Sequence, residues 1–83
     1  METIHKYELK RESMNLLMLP KDATILDIQI QATLCAWVKL NPNQEKVDRY
    51  IALVGTGQPM PAGNAKHIST IQDGAMVWHF FEI

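Results

Sequence analysis

The chain has 83 residues, a formal net charge of −1, 47% hydrophobic residues and a single cysteine. A chain this short buries only roughly 60–65% of the surface its unfolded form exposes, so one marginal core in one domain, residues 1–83, is expected. A lone Cys35 excludes an intramolecular disulfide, the near-neutral charge gives no electrostatic footprint for nucleic acid, and no apolar run approaches a membrane span.

In chain order, "TIHKYEL" (Thr3 to Leu9) is a first apolar segment, followed by the charged "KRES" and then "MNLLML" (Met14 to Leu19), which ends at "PKDA". "TILDIQIQ" has the clearest periodicity in the protein. Leu26, Ile28 and Ile30 alternate with Asp27, Gln29 and Gln31, the period of two of a half-buried strand. "TLCAWVKL" follows at once, so Ala32-Thr33 marks a tight hairpin turn. Leu34, Ala36, Val38 and Leu40 then share one face, with Cys35, Trp37 and Lys39 on the other.

"NPNQEKVD" is a polar connection, and "RYIALV" reads as a fifth strand. A short helix from Gln44 to Ile51 is the rival reading, because Asn41 and Pro42 resemble a helix start. After the loop "VGTGQPMPAGNAK" come a weaker strand "HISTIQ", a hairpin signal at Asp73-Gly74, and a last strand "AMVWHFFEI". About six to seven short strands with regular turn signals predict an all-β antiparallel sandwich or small barrel, with Leu26, Ile28, Ile30, Ile51 and Leu53 buried. The last strand carries Met76, Trp78 and Phe80 on one face and Val77, His79, Phe81 and Ile83 on the other. Both faces are largely apolar, which predicts a homo-oligomer joined through or near this strand.

"GTG" lacks the third glycine of a dinucleotide fingerprint and the Gly-Lys-Ser/Thr ending of a P-loop. Two readings of it stand. Gly55 and Gly57 turn the chain through positive φ, or their amides form a nest for an anion or a nucleotide edge, with Thr56 and Gln58 adding polar contacts. Trp37 and Trp78 are core residues or, beside that loop, stacking platforms and interface anchors. The candidate ligand- or partner-binding set is therefore Trp37, Gly55, Thr56, Gly57, Gln58, Trp78 and His79. His5, His67 and His79 lack metal-ligand spacing, and Cys35 lies in an apolar run with no base beside it. No nucleophile elbow is present, so neither catalysis, nor a cofactor, nor a metal is expected.

"TIHKYEL", "MLPKDATILDIQIQ", "LCAWVKLNP", "VGTGQPMP" and "GAMVWHFFE" resemble, in this order, a family of small uncharacterised proteins of tailed phages and prophages. The resemblance covers almost the whole chain. Ala32-Thr33 stands where that family often has a polar turn such as Asn-Gly. No activity comes with the resemblance. What it implies is a phage accessory protein made in the host bacterial cytoplasm. The expected function is then binding: inhibition of host antiviral defence by holding a defence protein or by sequestering a small nucleotide signal. A structural phage component of the tail or capsid is the alternative, and a small enzyme using His79 or Cys35 the third.

Overall fold

A computed structural model describes residues 1–83 as seven strands and no helix: β1 (Thr3–Glu8), β2 (Met14–Pro20), β3 (Thr24–Gln31), β4 (Thr33–Leu40), β5 (Lys46–Gly55), β6 (Lys66–Asp73) and β7 (Met76–Glu82). All pairings are antiparallel, in a three-stranded sheet of order β1-β4-β3 and a four-stranded sheet of order β2-β5-β7-β6. The principal extents are 40 × 31 × 16 Å, and the thinnest of them leaves room for two packed layers and nothing more. The sandwich expectation holds.

The core lies between the layers. Leu34, Ala36, Val38 and Leu40 of β4 face Leu17 and Leu19 of β2, Ile51 and Leu53 of β5, Ile71 of β6 and Phe80 of β7 in one cluster. Phe80, Leu19, Ile28, Leu34, Leu40 and Ile51 are the largest fully buried side chains. No buried polar side-chain atom lacks a hydrogen-bond partner. Buried Asn15, for instance, accepts from the Lys10 amide at 2.9 Å and donates to the Lys10 carbonyl at 2.9 Å, which ties the β1–β2 connection to the sheet.

Three sequence expectations are corrected. Gln44 to Ile51 is not helical: from Lys46 on it is β5, paired with β2 from Pro20↔Lys46 to Asn15↔Ile51. The local helix-start signal loses to a tertiary one, because Val47, Arg49 and Ile51 turn inward at a period of two. Leu26 is exposed rather than buried, because the register slips between Ile25 and Asp27 and leaves it as the extra residue of a bulge. Ile25 and Ile28, three positions apart, thereby both reach the core, Ile28 fully. Ile30 shares the alternation of Ile28 and pairs with buried Leu34 beside the hairpin turn, yet stays 39% exposed.

The β3–β4 hairpin is as tight as expected. Gln31 pairs with Thr33, and Ala32 alone makes the turn at φ 62°. At the opposite end, Arg49 joins the layers by donating to both carboxylate oxygens of Glu82 and, at 2.9 Å, to the Ala23 carbonyl. The hydrogen bonds that Arg49 donates to Glu82 raise the Arg49 pKa above its ordinary value.

Candidate functional site

Inward Ile51 and Leu53 send Ala52 and Val54 to the outside of the four-stranded sheet, where most side chains meet water. Both are nevertheless buried, because the chain after Gly55 folds back across that outer face. Two open depressions flank the crossing. One, of about 270 Å³, is lined by Val54, Thr56, Met60, His79 and Phe81 together with the turn. The other, of about 400 Å³, is lined by Met14, Ala52, Val54, Gln58, Pro59 and Pro61 among others. No lysine or arginine lines either one.

The turn is built from its own residues. Gln58 donates its amide to the Gly55 carbonyl at 3.0 Å, and its side-chain oxygen accepts the Gly55 amide at 2.7 Å. Gly57 stands at φ 93°, the third position of a turn that requires a left-handed residue. Gly55 is needed for closeness rather than for φ. A Cβ there would lie 3.2 Å from Gln58 Oε1 and 3.3 Å from Trp78 Cζ3. The Thr56 amide donates to the Val77 carbonyl at 3.4 Å. Of the amides from Gly55 to Gln58, only that of Gly57 has no acceptor within the chain. "GTG" spends two of its three amide donors on its own fold.

Beyond the turn runs a row of alternating hydroxyls and imidazoles. Thr56 Oγ1 is 2.8 Å from His79 Nε2, His79 Nδ1 is 3.0 Å from Thr70 Oγ1, and Thr70 Oγ1 is 2.8 Å from His67 Nε2. Registers Val54↔His79 and Thr70↔His79 place these groups side by side on neighbouring strands. His67 meets Phe81 edge-on, with ring centroids 5.4 Å apart. Thr70 and His67 were absent from the sequence-derived set. The period-two pattern of "HISTIQ" contains Thr70, but a bulge between His67 and Ser69 restores His67 to the same face, and no local signal marks that bulge. No carboxylate hydrogen-bonds to either ring, and no three metal-ligating side chains cluster anywhere in the protein.

The predicted set divides. Gly55, Thr56, Gly57, Gln58 and His79 come together. Trp78 lies beneath them, half-buried against the core, and its indole donates to Asp73 at 3.0 Å. Arg11 pairs with the same carboxylate at 2.6 Å, and Arg11 first, then Trp78, hold the Asp73 pKa below the ordinary carboxylate range. Trp78 thus supports the turn from below. Trp37 is elsewhere, on the outside of the three-stranded sheet between Lys6 and Asp27. Cys35, also in that sheet, is buried, with its thiol 3.4 Å from the Thr33 carbonyl.

Two antiparallel sheets closed on one core, with a glycine-proline loop laid over one outer face, define a small sandwich-like all-β domain. Within that class the chain belongs to the family described as Domain of unknown function (DUF7352), whose model matches residues 1–83. No curated protein and no solved structure matches the chain.

Proposed function

We propose that this is a phage accessory protein of the host bacterial cytoplasm that works by binding, as a homo-oligomer, and inhibits host antiviral defence by holding a defence protein against its four-stranded sheet. The single observation behind the binding mode is the loop-crossed outer face: an apolar floor of Val54, Met60 and Phe81 with a polar rim of Thr56 and His79. Apolar anchors within a hydrogen-bonding rim are what a protein partner requires. A nucleotide signal fits less well. Its phosphates would meet neither a cationic side chain nor a set of free amides, since three of the four loop amides are already donated. The phage setting rests on the resemblance described above.

The test is a tagged-protein pulldown from infected cells, read by mass spectrometry for proteins and small molecules. Enrichment of one defence protein, lost with Thr56→Ala and with Phe81→Asp, is the expected result. Both side chains lie on the outer face, and Thr56 is exposed, so Thr56→Ala should leave the melting temperature within the range of an ordinary surface change, about 0.5 kcal/mol. A nucleotide released on heating would move the reading to signal sequestration, and recovery of the protein in purified virions would move it to a structural component.

A further inference from the structure

Of the sandwich's four edge strands, three are guarded against pairing with another chain. β3 and β6 each carry a bulge, and they close on one another where Ser69 donates its hydroxyl to the Ile28 carbonyl at 3.0 Å. β1 carries Lys6 and Glu8. β2 has none of these devices. From Met14 to Leu19 it holds no charged residue, its register against β5 is unbroken, and its far edge has no neighbouring strand. Its outward side chains are apolar as well, with Leu16 52% and Met18 59% exposed beside Met14 and Tyr50. A straight, uncharged edge with unpaired backbone groups is a template for another strand.

We infer that the β2 edge pairs with the β2 edge of a second copy of this chain, antiparallel about a two-fold axis normal to the sheet. The two four-stranded sheets then become one, in the order β6-β7-β5-β2 continued by β2-β5-β7-β6 of the second copy. The absence of charge suits this occupant. About such an axis residues equidistant from it pair across the two copies, and a residue on it meets its own like. An uncharged strand therefore pairs with itself without bringing like charges together at the axis; β2 carries no charge between Met14 and Leu19. Because the axis is normal to the sheet, outer faces join outer faces, and Met14, Leu16 and Met18 of both copies form one apolar stripe. A domain of this size gains from that burial what its own core supplies only marginally. The inference deepens the self-association named under the proposed function and moves its seat from β7 to β2.

Sedimentation velocity at high micromolar concentration, with far-ultraviolet circular dichroism as the check on folding, tests it. The wild-type chain is expected to be a dimer. Leu16→Lys, at a half-exposed position, places two lysines near the axis and is expected to weaken the dimer more than about tenfold without changing the strand spectrum. Mixing Leu16→Lys with Leu16→Glu is expected to restore dimers as mixed pairs, which a misfolded variant cannot do. A monomeric wild type, a Leu16→Lys dimer of wild-type affinity, or mixed variants that stay monomeric would each overturn the inference. Capture of a host protein is read separately by the Thr56→Ala pulldown, so a monomer that still captures its partner removes this interface and leaves the proposed binding intact.

Discussion

The two outer faces of the sandwich are built from the same alternation and come out chemically opposite. On the three-stranded sheet the outward positions include Lys6, Glu8, Gln29, Gln31, Thr33 and Lys39 around one tryptophan, Trp37. They satisfy one another: Lys6 donates to Gln31 at 3.3 Å, and Thr33 to Glu8 at 3.4 Å. On the four-stranded sheet the outward positions include exposed Met14, Leu16, Met18 and Tyr50, partly buried Phe81, and Ala52 and Val54 beneath the loop. Its polar groups include the Thr56–His79–Thr70–His67 row and, beside Met18 and Pro20, exposed Asp48 and Lys46. The outer face of the three-stranded sheet is mostly polar, although Ile4 stays 56% exposed on it. The four-stranded face carries the larger exposed apolar stripe, and this asymmetry is what supports the proposed binding on that side.

The largest expected effect that sharpens this contrast is at Gly55, under the loop. Gly55→Ala presses a methyl group against Trp78 Cζ3 and the Gln58 side chain, at 3.2–3.3 Å, and should cost about 1–3 kcal/mol while displacing the turn. Urea denaturation and the pulldown should both change. Unchanged stability together with full capture would mean that the turn is not part of the recognition face. Gln58→Ala is a poor probe of binding alone, since Gln58 also accepts the Gly55 amide.

The other sheet has its own special turn residue, and it should behave in the opposite way. Ala32 sits at φ 62°, where a side chain is strained. Ala32→Gly should stabilise the protein by about 1 kcal/mol in thermal unfolding and leave capture unaltered. Loss of capture in that variant would break the contrast, because it would give the polar sheet a part in recognition.

The smallest effect is electrostatic and belongs to the sheet proposed to bind. The Asp73 carboxylate is held below its ordinary pKa by Arg11 and then Trp78. A group whose folded pKa is lowered adds stability that is complete above its unfolded value and is lost as pH falls through the folded one. Asp73→Asn should therefore lose that small contribution near neutrality, where it is complete, converge with the wild type at low pH, and so flatten the acid side of the stability curve from the ordinary carboxylate range downward. A wild-type acid slope in that variant would show that the pair contributes nothing measurable, as exposed pairs often do.

Much of this was legible in the sequence, at particular places. The alternation in "TLCAWVKL" put Leu34, Ala36, Val38 and Leu40 on one face, which the structure turns to the core, and Asp73-Gly74 marked the β6–β7 hairpin, where Gly74 stands at φ 60°. The alternation in "TILDIQIQ" misled at Leu26 because a bulge adds a residue without changing composition, so the pattern looks intact while the faces exchange. The candidate site was half legible. Loop and His79 were read together, but Trp37 was grouped with them although it lies in the other sheet.

The sequence by itself determined the strands, most of their inward faces and the tight turns, because period-two patterning and residues suited to positive φ act over a few neighbouring positions. Only the tertiary structure decided which strands are neighbours, and everything at the site depends on that. Thr56, Thr70 and His79 meet because β7 inserts between β5 and β6, and β2 is left bare because its sheet ends there. Strand order is a balance of packing over the whole domain, in which each pairing competes with every other. No short stretch of sequence contains that competition, so none could report its outcome.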